Sequence, residues 1–415
     1  MTAFKELLDE YKSLPKPIFY IFISRIVNAL GAFVGPLLTL LLSDKLGMNT
    51  SEVGTYIMIQ GILFLPASSL GGYLADHFQR KRTVVILTIL QALSFLACAF
   101  FEPSILTAYL IMLGSFFSLT AQPASSAIAA DLTVKENRQA AFSLIYLGIN
   151  IGFSIGPLIA GLLYYRFLPL IFLGDALTTL IAIFIFYKHI PESKPTYDIE
   201  KEQSLDDDER AEKGSVFSAL LKRPSIIAFG LISTLLSFEF AQVHFSLPLY
   251  IKDLYGIELG SRLFGILMSI NGLVVILGTI FIVGHTKKLK PSLNVSFAAL
   301  FCAFGLGLLY FNHSRIALII STILWTIGEI LNATNVGVYI ANHAPKSHRA
   351  RFNSLYGIIS GAGYALSPKF MGIYFTHSPI KNVWIMTFFV GILCSLLMLI
   401  MYAFESKKDK RKLSL

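Results

Sequence analysis

The chain has 415 residues, of which 55% are hydrophobic and only 14% are charged, and its mean hydropathy is +0.67. In soluble domains about a quarter of all residues are charged, so this composition excludes a water-soluble globular protein. The net charge of +9 lies in short clusters between apolar runs, which is typical of membrane topology rather than of a nucleic-acid-binding surface.

Twelve apolar runs are long enough for a bilayer-crossing helix, which needs about 20 residues. In chain order they are predicted at 17–42, 51–75, 83–101, 104–131, 139–165, 168–187, 224–251, 260–284, 292–310, 315–343, 350–375 and 382–404. The sequence therefore predicts an all-α membrane protein of twelve transmembrane helices in two six-helix bundles. The bundles are expected at 1–187 and at 224–415, which includes a cytoplasmic tail, with a hydrophilic cytoplasmic linker at 188–223.

The basic residues predict the orientation of these helices. With both termini in the cytoplasm, 26 of the 34 Lys and Arg residues fall on inside segments and 6 on outside loops. Such a bias towards the cytoplasmic side is the general rule for helical membrane proteins. We therefore expect a multi-pass protein of the cell membrane with both termini inside.

The two halves of the chain resemble each other. A shift of 211 positions places the fourth and fifth runs on the tenth and eleventh. It aligns Gly152, Pro157 and Gly161 with Gly363, Pro368 and Gly372. Parallel repeats of six spans are a known plan of secondary transporters, whose substrate site lies between the repeats.

The segment after the second run carries a recognisable pattern, GGYLADHFQRKR over residues 71–82. It resembles the cytoplasmic loop signature of the major facilitator superfamily, although His77 and Gln79 depart from the usual residues. The matching positions are Gly72, Leu74, Asp76, Arg80 and Lys81. We expect Gly72 to allow close helix approach and Asp76 to pair with basic residues or a helix N-terminus. The resemblance implies that this loop fastens the cytoplasmic side of the outward-open state.

The fifth run is similar to the antiporter signature of the same superfamily. Gly152, Gly156, Pro157 and Gly161 match it, and Ala160 stands where the signature has a further glycine. Small residues at this spacing let helices touch, and proline bends the span. The similarity favours export over uptake. The fourth run lacks the Arg that many drug:proton antiporters carry, so any coupling must use other groups.

Two acidic residues lie near the middle of apolar runs, Glu239 in the seventh and Glu329 in the tenth. A charge at the centre of a membrane helix costs about 2.5–3.5 kcal/mol, and burial favours the neutral form of a carboxyl. We interpret both as proton-coupling residues. The alternative is a structural carboxyl that is hydrogen-bonded to a neighbour such as Asn332.

Other polar residues within the runs are candidates for substrate binding. They are Arg25, Asn28, Asn150, His244, Asn332 and Lys369. Arg25 is positioned to bind an anionic group, or alternatively to extend its side chain to the lipid headgroups. Asp175 and Lys369 are a possible ion pair. No metal, cofactor or catalytic motif is expected, and Cys98, Cys302 and Cys394 are interpreted as small core or lipid-facing residues.

The leading hypothesis is a monomeric, proton-coupled exporter of small amphiphilic or drug-like molecules that works by alternating access. Its expected partners are the small-molecule substrate, protons and membrane lipid, with no nucleic acid. The first alternative is a proton-coupled importer of a nutrient or peptide-like solute. A lipid or glycolipid flippase is a further alternative, and a membrane enzyme is the weakest.

Overall fold

The fold was obtained as a computed structural model, which describes residues 11–134, 137–192, 224–344 and 349–413. Side chains are described for these residues except 349–351, 353–354 and 408–413. Within these ranges the regular structure is helical and contains no strand. Most of the predicted linker, 193–223, lies outside the described residues.

In the part of the chain that the structure describes, nine helices precede the central segment. They are α1 (Lys16–Leu30), α2 (Val34–Leu40), α3 (Thr50–Ile62), α4 (Phe64–His77), α5 (Arg80–Cys98), α6 (Ile105–Asp131), α7 (Arg138–Phe153), α8 (Gly156–Leu163) and α9 (Leu168–His189). A π-helical turn, Leu41–Lys45, follows α2 directly. Six further helices of the described residues follow the central segment. They are α10 (Pro224–His244), α11 (Ser246–Thr286), α12 (Pro291–Phe311), α13 (Arg315–His343), α14 (Arg349–Tyr374) and α15 (Asn382–Leu413).

Each of the twelve predicted runs coincides with one helix or with two consecutive helices, so the prediction of an all-α membrane protein is confirmed. Ten helical stretches of the described chain are long and apolar enough to cross a membrane. One of them, Pro224–Thr286, has 63 residues and contains both the seventh and the eighth predicted spans. Gly256, with φ of 72° and ψ of 170°, interrupts the regular helix within α11. The eleventh predicted span corresponds to α14, which is not among the ten.

The chain folds into two compact units that each combine separate stretches of sequence. Unit 1 contains residues 1–49, 59–196 and 251–276, and unit 2 contains 50–58, 197–250 and 277–415. Within unit 1, α1 packs against α7 and α9, and α6 packs against α4 and α5. Within unit 2, α12 packs between α13 and α15, and α10 packs against α14 and α15. The domain boundaries at 187 and 224 stay a prediction.

Candidate functional site

Glu239 occupies the interior of unit 2. Its side chain lies on α10 and is 0% exposed. Neither carboxylate oxygen has a hydrogen-bond partner among the described residues. The carboxyl group packs against Gly391 on α15, where a Cβ atom would come closer than 3.0 Å to it, and Ala303 on α12 lies beside the same point. A buried carboxyl without hydrogen-bond donors destabilises a fold. The small residues Gly391 and Ala303 therefore leave space for a carboxyl that the fold does not need for its stability.

Glu329 lies near the same place in unit 2. The buried thiol of Cys302, on α12, is within electrostatic range of the carboxyls of both Glu239 and Glu329. Cys302 also packs against Gly328, the residue before Glu329 on α13, and its Sγ–H points at the carbonyl of Trp325 at 3.8 Å. The two predicted proton-coupling residues therefore share Cys302 as a neighbour within electrostatic range.

The two neighbouring candidates of unit 2 have different surroundings. Asn332 is on α13, one turn beyond Glu329, and its Oδ1 is buried and accepts no hydrogen bond from the described residues. His244 is the last residue of α10, and its side chain is exposed. Glu239 and His244 therefore lie on different faces of α10, as their spacing of five residues predicts.

Arg25 is the corresponding charged group in the interior of unit 1. It lies within α1, is partly buried, and donates from an Nη atom to the hydroxyl of Ser125 on α6 at 2.7 Å. No carboxylate of the described chain lies within ion-pair distance of its guanidinium. Because a guanidinium carries five N–H donors, most of this one's capacity is left for another ligand.

The other polar candidates of unit 1 make contacts within the bundle. Asn28, one turn after Arg25, donates to the hydroxyl of Thr179 on α9 at 3.1 Å. Asn150 donates to the carbonyl of Tyr146 in its own helix α7 at 2.9 Å. Both amides are partly buried, and a substrate would compete with these bonds.

Asp175 has a structural role that the sequence did not reveal. Its Oδ2 accepts hydrogen bonds from the backbone N–H groups of Phe33 and Val34, each at 3.1 Å. These groups lie where α1 has ended and α2 begins, and helix-start N–H groups have no partner within the helix. Asp175, which is 5% exposed, therefore caps the second half of the first span.

Lys369 makes its contacts within unit 2. Its ammonium group donates to the hydroxyl groups of Thr55 at 2.7 Å and Ser51 at 3.2 Å, both on α3. The described contacts thus give Asp175 and Lys369 separate partners, and an ion pair between them stays a prediction. These hydrogen bonds link α14 to α3. A role of Lys369 in substrate binding stays a prediction.

The loop between α4 and α5 is organised by Arg80. Its guanidinium forms an ion pair with Asp131 at the end of α6 at 2.5 Å and donates to the carbonyl of Ala75 at 3.1 Å. The next residue, Lys81, donates its backbone N–H to Glu192 at 3.0 Å. The Lys81 ammonium also lies over the ring of Tyr187, 4.8 Å from its centroid. Arg80 and Lys81 thereby bind the loop to two other parts of unit 1.

The close helix contact of this loop lies at Gly71 and not at Gly72. The prediction of close helix approach at Gly72 is wrong, because a Cβ atom there would have no atom of the described residues within 4 Å. The close contact belongs to the preceding Gly71, which packs against the carbonyl of Thr120 on α6. Asp76 is exposed at the end of α4, and its pairing stays a prediction.

The predicted close approach in the fifth span is confirmed. Gly152 and Gly156 pack against the backbone of α1, at Ile26 and at Leu30. Gly161 packs against the carbonyl of Ser261 on α11, within unit 1. The predicted bend at Pro157 is also confirmed, because α7 ends at Phe153 and α8 begins at Gly156. The role of these residues in antiport stays a prediction.

Sequence reasoning missed the small residues that surround Glu239. Gly391 stands in an apolar run with no pattern of its own, and Cys302 was interpreted only as a core or lipid-facing residue. Cys302 is indeed buried, but its position within electrostatic range of two carboxyls depends on how α10, α12 and α13 are rotated. The spacing of 211 positions is no guide here, because Glu239 and Glu329 have Asn28 and Ser118 at the equivalent positions.

Known proteins resemble the whole length of this chain. An uncharacterized MFS-type transporter of Bacillus subtilis, YttB, is 24% identical over 400 residues, which cover 96% of this chain and 98% of that protein. A Na(+), Li(+), K(+)/H(+) antiporter of Planococcus maritimus is 27% identical over 361 residues, which cover 81% of this chain and 84% of the antiporter.

The fold has close counterparts among crystal structures. The nucleoside transporter NupG superposes with a TM-score of 0.77 at 16% identity, over 93% of this chain and all of that one. A profile of the Major Facilitator Superfamily matches residues 21–368 and 295–414. The profile match, the helical fold and the loop signature agree, and the chain belongs to the major facilitator superfamily of membrane transporters.

Proposed function

We propose that this transporter is a proton-coupled exporter of small amphiphilic molecules, with Glu239 and Glu329 as its proton-carrying residues. It works by alternating access in the cell membrane, with both termini in the cytoplasm. The proposal rests chiefly on one observation, the fully buried carboxyl of Glu239 whose oxygens have no hydrogen-bond partner among the described residues. Intramembrane acidic residues are rare and mark proton and substrate pathways.

Glu329 is a second acidic group within the apolar helices of unit 2. Glu329 is less buried than Glu239, and Cys302 lies near both. Two carboxyls in one low-dielectric region repel each other when both are ionised. Uptake of one proton by the pair therefore stabilises one conformation, and substrate binding stabilises the other through its different affinity for the two states.

Export agrees with the antiporter-like fifth span and with the antiporter among the relatives. Coupling through carboxyls of the seventh and tenth spans also accounts for a fourth span without Arg or Lys.

Uptake of an anionic or peptide-like solute is the second candidate. It is favoured by Arg25, whose guanidinium has Ser125 as a hydrogen-bond partner and no carboxylate partner in the described chain. An arginine of this kind can bind a substrate carboxylate or phosphate through two parallel hydrogen bonds. The two candidates differ in the direction in which substrate and proton move.

Proton flux in proteoliposomes separates the candidates. Vesicles with purified protein and an internal pH dye would receive lipophilic cations, neutral drugs, peptides, or Na⁺ and K⁺ salts. Proton movement against the added solute supports export by exchange, and movement with it supports uptake. A response to Na⁺ or K⁺ alone would identify an inorganic cation, and not an amphiphile, as the substrate. No response to any solute would refute proton coupling.

Variants assign the response to residues. Glu239→Gln and Glu329→Gln should each abolish solute-driven proton flux, because the amide has a similar shape but cannot carry the proton. Glu102→Gln is the control, since Glu102 lies in the exposed loop between α5 and α6 and should retain full flux. Wild-type flux in both carboxyl variants would refute the assignment even if the solute is identified.

A further inference from the structure

A cavity of about 510 Å³ opens on unit 1 where α4 ends and α5 begins. Its apolar wall includes Leu74 and Phe78 on one side and Ile86 and Leu87 on the other. Phe78 is 54% exposed and Ile86 is 58% exposed. The cavity is therefore open towards the surroundings of the helices rather than enclosed in the bundle.

The apolar wall continues along α5. Leu90 and Leu93, one and two turns beyond Ile86, are 36% and 49% exposed. Residues at these spacings share one face of a helix. Since α5 is one of the stretches apolar enough to cross a membrane, this face presents a continuous surface to lipid chains, with the cavity at its end.

Arg82 supplies a positive charge to the cavity. It is the last of three consecutive basic residues, and its two neighbours have partners: Arg80 pairs with Asp131, and Lys81 lies over Tyr187. Arg82 lines the cavity, is exposed, and its guanidinium has no hydrogen-bond or ion-pair partner among the described residues. A guanidinium matches the geometry of a phosphate group better than an ammonium does.

His77 stands at the same rim, at the end of α4. Its Nδ1 lies 2.9 Å from the carbonyl oxygen of Tyr73, and its ring stacks on the ring of Tyr73 at 4.2 Å. These contacts fix the imidazole in place without a carboxylate.

We propose that this cavity binds one anionic phospholipid, whose phosphate lies on Arg82 and one of whose acyl chains follows Ile86 and Leu90. An anionic phospholipid matches the two features of the cavity, which are a cation without a partner among the described residues and an apolar face that runs into the membrane. Basic side chains at the membrane surface attract anionic lipids in this way. With the predicted orientation, the lipid belongs to the cytoplasmic leaflet.

A tryptophan at position 78 would report on this lipid. The chain has two tryptophans, Trp325 and Trp384, which are 3% and 0% exposed, so the fluorescence of Phe78→Trp can be taken as the difference from the parent protein. The protein would be reconstituted with dibrominated phosphatidylglycerol or dibrominated phosphatidylcholine, whose bromine atoms quench tryptophan on contact. We expect phosphatidylglycerol to bind about fivefold more tightly.

Two substitutions test the charge. Arg82→Gln in the Phe78→Trp background should remove the preference for phosphatidylglycerol. Lys288→Gln should leave it unchanged, because Lys288 is an equally exposed basic residue between α11 and α12. Equal quenching by the two lipids, or a preference that survives Arg82→Gln, would overturn the proposal.

A second probe position and a soluble competitor complete the experiment. If Phe78→Trp does not fold, Ile86→Trp places the same probe on the opposite wall of the cavity. Glycerol 3-phosphate is added as a soluble competitor that has the phosphate but no acyl chain. We expect it to leave the quenching unchanged, and its removal of the preference would show a site for a soluble phosphate compound instead of a lipid.

Discussion

Gly54 packs directly against the backbone carbonyl of Pro368, so closely that a Cβ atom would lie within 3.0 Å of the oxygen. Gly265 has the same relationship with the carbonyl of Pro157. Gly54 and Gly265 are 211 positions apart, and so are Pro157 and Pro368. This is the shift that relates the two halves of the sequence. The first contact lies in unit 2 and the second in unit 1, and the repeat is therefore present in the packing.

Alanine at either glycine should destabilise the protein. The new methyl group in Gly54→Ala or Gly265→Ala would overlap a peptide carbonyl, which cannot move as a side chain can, and such overpacking costs about 1–3 kcal/mol. Thermal unfolding in detergent micelles would show a lower midpoint for both variants.

The control lies on the same helix as Pro368. Gly361→Ala places a methyl group where no atom of the described residues lies within 4 Å, and alanine is the better helix former by about 1 kcal/mol. Its unfolding midpoint should stay the same or rise. Equal midpoints for Gly54→Ala and Gly361→Ala would refute the close contact.

The sequence was sufficient for the helices and for part of their packing. Helices follow from apolar length alone, and the spacing of Gly152, Gly156 and Gly161 indicated which face of the fifth span touches its neighbours. At Gly71 and Gly72 the same reasoning chose the wrong residue. Adjacent helical residues point about 100° apart, so a glycine pair does not reveal which member faces the next helix.

The candidate site was predictable only in its charged members. Glu239, Glu329 and Arg25 are conspicuous because charge is costly within an apolar run. What surrounds them is set by helices that are distant in sequence, as with Gly391 beside Glu239. The capping role of Asp175 also depends on the break between α1 and α2. That break lies inside a run that hydropathy predicts as one span, although Gly31 and Pro36 flank it.

Asp175 should be more important for stability than for transport. Asp175→Leu would leave the N–H groups of Phe33 and Val34 without their acceptor, and each buried group without a partner costs about 1–3 kcal/mol. Asp175→Asn retains one acceptor oxygen and should lose less. The unfolding midpoints of the two variants would give this order, with Asp253→Leu, at an exposed position, as the control.

An order in which Asp175→Asn is as damaging as Asp175→Leu would contradict the capping role. It would mean that the negative charge itself is needed.

The ion pair between Arg80 and Asp131 should contribute a measurable coupling energy. The two side chains are 14% and 38% exposed, so water screens the pair, and we expect about 0.5–1 kcal/mol. The measurement is a double-mutant cycle on thermal stability with Arg80→Gln, Asp131→Asn and the combination. Strict additivity of the two single effects would show that the pair adds nothing.

The buried carboxyl of Glu239 should destabilise the fold although transport requires it. The fold supplies no donor from the described residues to either carboxylate oxygen, so Glu239→Met, of similar length and apolar, removes a desolvation cost. We expect a gain of about 1–3 kcal/mol in thermal stability together with complete loss of solute-driven proton flux. Glu329→Met is the matched comparison, because Glu329 is only partly buried and does interact with its surroundings, so its stability should gain less or fall. A fall in stability for Glu239→Met would mean that the carboxyl holds the helices of unit 2 together, and the case for a proton-carrying residue would then depend on Glu329 alone.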